Sequence, residues 1–428
     1  MSKRFSRQAG GAGLLILVIV GKYVFKGIKF RSADGKTVKI VQPPVPGQPE
    51  FARLVESLTQ APRRTGNEVS ILRNGREIFP ALLDAINSAR KSILFSSYIW
   101  WAGKAADDIA EALARQARKG VSVRVLLDAF GSAKLDREVV HMLEDAGVEV
   151  VWFRPIRWYQ LGKANNRMHR RILAIDGVMA FAGGVGIAEA WEGNVEYVDR
   201  WRETHVRIVG PAVRDLVGGF LENWAEATGQ IPGPELLPDI QPLDGGVPVL
   251  VLRSSPSGGS TITETLFLAA IVGATKRLWI TTAYFAPRKG FVDALCAAAQ
   301  RGVDVRILAN GRPIDKEVVR KAGQHSYSRL LAAGVQMFEY QKALLHAKVI
   351  LVDDGWANVG SANFDNRSFA LEEEINVSIE SPAIVEQLAG HFLDDLTASD
   401  QIHLEAWKHR PLRNRAYEVA SEVVRQSL

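Results

Sequence analysis

The chain of 428 residues is 47% hydrophobic and 23% charged, with a formal net charge of +6. That composition excludes a disordered or low-complexity protein, leaves room for two ordinary domains, and suits an anionic partner such as phospholipid headgroups or nucleic acid. One cysteine, Cys296, excludes an internal disulfide, and its helical surroundings (LCAAAQRGVDV) do not suit a catalytic thiol.

The N-terminus places an uncharged apolar run, Ala9–Gly21, between the basic stretches MSKRFSRQ and KYVFKGIKFR. The run is shorter than the roughly 20 residues that a helix needs to cross a bilayer, but a snorkelling Lys22 lets Tyr23–Phe25 extend it. No small-residue cleavage site follows, so an uncleaved membrane anchor or interfacial helix is expected. The slight excess of Lys and Arg on its C-terminal side favours a cytoplasmic body.

A proline-rich linker, VQPPVPGQPE (41–50), leads to a globular region starting at Phe51. A second turn-rich stretch, GQIPGPELLPDIQPLDGGVP (229–248), divides that region. The expected organisation is an anchor and linker over 1–50, a first half over 51–230, a linker over 231–248, and a second half with a C-terminal helix over 249–428.

The halves repeat each other. ALLDAINSARKSILFSSYIWW predicts a helix running into a strand, and ETLFLAAIVGATKRLWITTAYFAP does the same. IAEALARQARKGVSVRVLLDAFGS is answered by FVDALCAAAQRGVDVRILANGRP, and MLEDAGVEVVWF by LLAAGVQMFEY. Each unit is helix, glycine turn, apolar strand, which predicts α/β sheets with some parallel strands.

The most informative match pairs MHRRILAIDGVMAFAGGVGI (168–187) with LHAKVILVDDGWANVGSANF (345–364). Both contain a histidine, a cation two residues on and an aspartate five beyond that: His169, Arg171 and Asp176, then His346, Lys348 and Asp353. One such triplet is a weak signal; two at corresponding positions of a repeat are a strong one. LLHAKVILVDD reads as a buried strand whose alternation puts His346 and Lys348 on one face, an expensive arrangement unless an anion or a wet cleft receives them. Small-residue turns follow, Gly183-Gly184 and Gly360-Ser361. Further on, Glu203 and Glu374 open matching strands and are candidates to orient the imidazoles.

Two histidines and two cations around one phosphate suggest phosphoryl or phosphatidyl transfer. A neutral histidine attacks phosphorus, and a protonated one serves the leaving oxygen and then the incoming hydroxyl. Arg171 and Lys348 would hold the non-bridging oxygens, helped by donors at Gly184, Ser361 and Asn363. Such an acid–base pair predicts a bell-shaped pH–rate profile. No His/Asp cluster has metal-ligand spacing, and no cofactor is expected.

The doubled motif is similar to the HxKxxxxD signature of the phospholipase D superfamily. LLHAKVILVDDGWANVGSANFDNRSFALEEE, WRETHVRIVGPAV and AYFAPRKGFVDAL resemble segments of bacterial cardiolipin synthases, and the likeness spans residues 70–428. The resemblance implies an α/β fold of two phospholipase D-like α/β/α halves packed as a pseudo-dimer around one active site. It implies a metal-free phosphohistidine mechanism with His169 as nucleophile and His346 as acid. It also implies a bacterial inner-membrane enzyme that joins two phosphatidylglycerols into cardiolipin and glycerol. A phospholipase D-type hydrolase is the alternative, and a nuclease a more distant one.

Three features favour lipid over nucleic acid: the apolar N-terminal segment, the family likeness, and the aromatic, basic stretch FRPIRWYQLGKANNR (153–167). In and beside that stretch, Trp152, Trp158 and Tyr159 suit a membrane interface, and Arg154, Arg157, Lys163 and Arg167 would attract anionic lipid. The basic, then amphipathic C-terminus (LEAWKHRPLRNRAYEVASEVVRQSL) suits a membrane surface or a helix packed on the second half. Three positions depart from the family pattern: Arg171 stands for lysine, Gly186 for the asparagine of GGxN, and Glu372 for an asparagine.

Overall fold

The computed structural model describes residues 40–155, 166–255 and 262–411. The apolar N-terminal run, most of the aromatic and basic loop before His169, and the last part of the C-terminal stretch lie outside the described residues.

The first half supplies strands β1 (Arg63–Arg73), β2 (Ser92–Ser97), β3 (Ser122–Asp128), β4 (Glu149–Phe153), β5 (Arg167–Met168), β6 (Ile172–Ile175), β7 (Met179–Gly183) and β8 (Thr204–Val209). The second half supplies β9 (Val247–Ser254), β10 (Arg277–Thr281), β11 (Asp304–Asn310), β12 (Gln336–Tyr340), β13 (Val349–Val352), β14 (Trp356–Gly360), β15 (Glu372–Glu380) and β16 (Ser399–Ile402). From one edge inward the order is β4-β3-β2-β6-β7-β8-β1; from the other it is β16-β12-β11-β10-β13-β14-β15-β9. Apart from the extra edge strand β16, the two halves follow one plan and join where β1 runs antiparallel to β9. The parallel trios β2-β3-β4 and β10-β11-β12 alternate with helices, as crossover connections require. Apart from the short β5, the remaining strands pair antiparallel.

Burial explains the layering. One apolar cluster contains Val217 and Phe220 of helix Val213–Thr228, Leu388 and Phe392 of helix Pro382–Leu396, and strand residues of both halves, including Ile172, Val206, Val349 and Val377. The other faces carry separate clusters. One is under Asn74–Ser88 and Lys104–Arg118, the other under Ile262–Gly273 and Lys289–Gln300. The two halves thus share a core between them. Helix Pro49–Thr59 packs in the second half's outer cluster, where the Phe51 ring meets Trp356 edge-on at 5.6 Å, although its sequence position is next to the first half.

Two short exchanges stitch the halves together. β5 runs parallel to the start of β15, pairing Arg167 with Glu372 and Met168 with Glu373. Arg202 bridges in parallel to Leu345. Each half therefore lays the segment before its histidine against the segment before the other half's acid. Leu344–Lys348 serve this exchange, so β13 begins only at Val349, later than the continuous strand expected from the apolar run.

Candidate active site

The exchanges bring the two histidines into one buried polar cluster. His169 donates its backbone N–H to Glu373 O at 2.9 Å, and His346 donates its own to Arg202 O at 2.7 Å. The imidazoles are then gripped across the interface. His169 Nδ1 lies 3.0 Å from both carboxylate oxygens of Glu374, and His346 Nδ1 lies 2.6 Å from Glu203 Oε2. Each orienting acid serves the histidine of the other half. With Nδ1 occupied, Nε2 is the nitrogen left for chemistry on either ring.

Aromatic rings complete the setting. Tyr98 meets His169 edge-on at 5.2 Å. His346 packs against Trp191 at 5.3 Å and Trp201 at 5.4 Å, two rings that meet each other at 4.2 Å. Trp191 Nε1 also approaches Glu203 Oε2 at 3.4 Å, so one tryptophan touches both members of the dyad. Trp191 and Trp201 were not legible as site residues, because they sit in the loop-like stretch WEGNVEYVDRW. The repeat held the available clue: Trp191 follows His169 by the same interval at which Ser368 follows His346.

That correspondence explains Gly186. A Cβ there would lie 2.7 Å from the Trp191 ring, so the glycine makes room for the indole. In the second half the smaller Ser368 leaves space for Asn363, and the Ser368 hydroxyl accepts from the Asn363 backbone N–H at 3.0 Å. Asn363 Oδ1 is buried without a partner among the described residues.

Arg171 and Lys348 are each only 3% exposed. Arg171 Nη1 donates to His169 O at 2.6 Å, and Lys348 Nζ donates to His346 O. Among the described residues neither cation forms an ion pair with a carboxylate. Arg171 Nε and Nη2 have no hydrogen-bond partner, leaving two buried guanidinium donors. Such donors are costly unless an anion or water receives them.

Electrostatics follow from burial and crowding. Burial, then the charges of Arg171 and Lys348, push the His169 pKa well below the ordinary value. Burial and Lys348 lower His346 to about 4, against the pull of Glu203. For Glu203, burial raises the carboxyl, but His346 and Lys348 outweigh it and the net shift is downward. Glu374 is pushed well above the usual carboxylate range by burial and by the neighbouring charge of Glu372. Burial lowers Lys348 to about 7. At neutral pH both imidazoles are neutral, and Lys348 is partly deprotonated.

An arriving monoanion opposes the burial penalty on Lys348, so binding favours its protonated form. Affinity for diethyl phosphate, which does not itself titrate near neutrality, is expected to hold below pH 7. Above it, affinity should fall by up to about tenfold per pH unit as the free site loses the Lys348 proton. Calorimetry from pH 6 to 9 measures this. Lys348→Arg should flatten the dependence, and a flat profile in the unmodified protein would contradict it.

The two motif aspartates stand elsewhere. Asp176 accepts the backbone N–H groups of Arg90, Lys91 and Ser92 at 2.9, 2.7 and 2.8 Å. Asp353 accepts those of Thr275, Lys276 and Arg277 at 3.1, 2.7 and 3.1 Å, and the Thr275 hydroxyl at 2.8 Å. Both follow the far ends of β6 and β13, about seven extended residues or roughly 23 Å of chain from their histidines. The sequence reading places them in the catalytic set; in the structure they brace the turns before β2 and β10.

Ser361, expected among the phosphate donors, bonds to its own half's acid. Its hydroxyl donates to Glu374 Oε2 and accepts from Ile375 N at 2.9 Å, so it supports the orienting acid. Gly184 occupies the same place in the first half. A Cβ there would lie 2.6 Å from Glu203 Oε2, and the glycine lets that carboxylate approach. Arg154 and Arg167, expected to attract lipid, are engaged within the fold. Arg154 pairs with Glu226 and Glu373, each at 2.7 Å, and Arg167 with Asp128 at 3.0 Å.

His169, Glu372 and Glu374 present ligand atoms within 4.8 Å of one another, a spacing compatible with a metal ion. Arg367 already pairs with Glu372, and the nearby Arg171 and Lys348 charges oppose a cation. These surroundings suit an anion better.

Comparison with known proteins shows the family. A family model described as cardiolipin synthase, PLD-like domain, matches residues 82–208 and 267–396. A cardiolipin synthase of Geobacillus sp. (strain WCH70) is 36% identical over 380 residues, covering 88% of this chain and 76% of the relative. Cardiolipin synthase A of Pseudomonas putida is 38% identical over 354 residues, covering 82% and 73%. Among solved structures, phosphatidylserine synthase of Haemophilus influenzae shares the fold, with a TM-score of 0.65 at 14% identity, covering 88% of this chain and all of that one. The family-model match in both halves, with relatives 36–38% identical over more than four fifths of the chain, places it in the cardiolipin synthase family of the phospholipase D superfamily.

Proposed function

We propose that the protein is a phosphatidyltransferase that makes cardiolipin from two phosphatidylglycerols through a phosphatidyl-histidine. The observation that carries this reading is the pair of imidazoles, each fixed at Nδ1 by the other half's carboxylate, beside two buried cations with no carboxylate partner among the described residues.

In the first step His169 Nε2 attacks phosphorus of one phosphatidylglycerol. The bond to the terminal glycerol oxygen breaks, and His346, protonated once the anion is bound, gives its Nε2 proton to that oxygen. Glycerol leaves. The hydroxyl of a second phosphatidylglycerol then loses its proton to His346 and attacks phosphorus, and the histidine–phosphorus bond breaks. Arg171 and Lys348 hold the non-bridging oxygens as charge builds. The order of the histidines follows the family resemblance. Depth favours transfer over hydrolysis: at 6% and 4% exposure, His169 and His346 are poorly accessible to bulk water.

The substrate and the apolar N-terminal segment favour a membrane-associated enzyme with its catalytic body at the cytoplasmic face. No described helix is long and apolar enough to cross a membrane, so this placement rests on residues 9–25.

The test is to incubate the purified full-length protein with labelled phosphatidylglycerol in mixed micelles and to separate the products. Cardiolipin with an equal amount of glycerol is expected. Phosphatidic acid alone would make it a hydrolase, and absence of lipid turnover would overturn the substrate.

A further inference from the structure

His205 is a buried histidine that the proposed mechanism does not use. It is 2% exposed, and its Nδ1 has no partner among the described residues. The sheet register shows what lies beside it. Ile172 pairs with Ala182, which sets Arg171 level with Gly183, and Gly183 pairs with His205. Three residues level across neighbouring strands share one face. The middle one has no side chain, and a Cβ on Gly183 would overlap His205 Nδ1, so the imidazole lies over the glycine. The unpartnered Nε and Nη2 of Arg171 belong to the same row.

The second half builds the same row with different residues. Val349 pairs with Val359, which sets Lys348 level with Gly360, and Gly360 pairs with Asn376. A Cβ on Gly360 would overlap Asn376 Oδ1, and that oxygen also lacks a partner. Each row reads cation, glycine, buried acceptor. The half that has arginine as the cation has histidine as the acceptor; the half that has lysine has asparagine.

We propose that His205 and Asn376 are positioning residues matched to the cation of their own half, His205 to Arg171 and Asn376 to Lys348, which set where each cation holds a phosphodiester oxygen. Neither acceptor is hydrogen-bonded to its cation in the structure; once a phosphodiester draws the cation in, a neutral imidazole offers one lone pair at the ring edge, suited to one N–H of a planar guanidinium, and leaves the remaining N–H for the ligand. An amide oxygen on a shorter side chain suits the ammonium, which has three donors on one atom. Burial supports the neutral form by lowering His205 to about 4, against the pull of Glu203. The proposal rests on the reading of the cluster as a phosphodiester site.

The test is a double-mutant cycle in the full-length protein, with Arg171→Lys, His205→Asn and the pair together, which gives the first half the second half's row. Two quantities are read: the dissociation constant for diethyl phosphate, and kcat and KM for lipid turnover. Each single variant is expected to weaken diethyl phosphate binding and raise KM about tenfold, and the double variant to return within about threefold of the unmodified protein. Losses that multiply in the double variant would overturn the matching, as would single variants within twofold of the unmodified protein. If the first-half variants do not fold, Lys348→Arg with Asn376→His makes the same comparison in the second half; failure of both pairs to fold would reduce these residues to packing and overturn the proposal. Diethyl phosphate binding without lipid turnover in the unmodified protein would defeat the assigned reaction while leaving the matching to be decided by the binding cycle.

Discussion

Alanine at either His169 or His346 is expected to lower phosphatidyl transfer by at least about a thousandfold, and the double variant to lose little more, because the two act as one unit. The single losses have different causes. Without His169 no phosphatidyl-enzyme forms. Without His346 the nucleophile remains, but the departing glycerol oxygen has no proton donor. A phosphatidyl substrate carrying p-nitrophenol as its leaving group separates these cases, since that group departs without protonation. His346→Ala should then release about one equivalent of nitrophenol per enzyme in a burst and stall, because no base activates the second alcohol. His169→Ala should show no burst. The opposite pattern would exchange the two roles, and bursts from both would dismiss a single nucleophile. The loss should leave folding intact, because the remaining backbone exchanges still join the halves through β5 with β15 and Arg202 with Leu345.

The repeat and its reacting groups were legible because the chemistry needs fixed spacings. A histidine and a cation two residues apart on extended chain face the same way, and finding the pair twice in an aligned repeat is hard to obtain by accident. Alternating helices and apolar runs indicate α/β sheets with some parallel strands, but the strand order emerges only in the structure. Cross-pairing was not legible. Glu374 lies 205 residues from His169, and Glu203 lies 143 from His346, so only the joined sheets reveal which acid meets which ring. Trp191 was hidden for another reason: a tryptophan in a polar loop has no periodicity, and its meaning comes from the space left by Gly186. Arg154 and Arg167 misled because positive charge near a motif looks available until its carboxylate partners, distant in sequence, are brought beside it. The departure at Gly186 becomes intelligible as half of an exchange, in which Gly186 with Trp191 stands where the second half has Asn363 with Ser368.

The motif aspartates separate stability from chemistry, and Asp353→Ala is the sharpest case. It removes the acceptor for three backbone N–H groups and one hydroxyl at the turn before β10. A hydrogen bond to a charged group contributes about 1.5–3 kcal/mol, and water can replace part of this set at the turn, so a net loss of about 3 kcal/mol is expected. For a chain of 428 residues whose halves share a core, that lowers the unfolding midpoint by roughly 3–4 °C. Asp353 adopts a left-handed backbone with φ of 51°, which aspartate and asparagine tolerate better than alanine, so Asp353→Asn should recover part of the loss. Asp176 adopts the same conformation, with φ of 52°, and accepts three N–H groups; it lacks the hydroxyl bond, and its alanine variant should lose less. At a temperature well below the midpoint, kcat of Asp353→Ala should stay within about threefold of the unmodified protein. The aspartate acts where β13 leaves the site, holding that end of the strand to the start of β10 so that its other end presents Lys348 and His346 in register. A thousandfold fall in kcat with an unchanged melting midpoint would place Asp353 in the reaction itself. The predicted pairing of lowered stability with near-normal turnover would divide the three-residue signature in two, with the histidine and cation serving the phosphate and the aspartate serving the sheet that carries them.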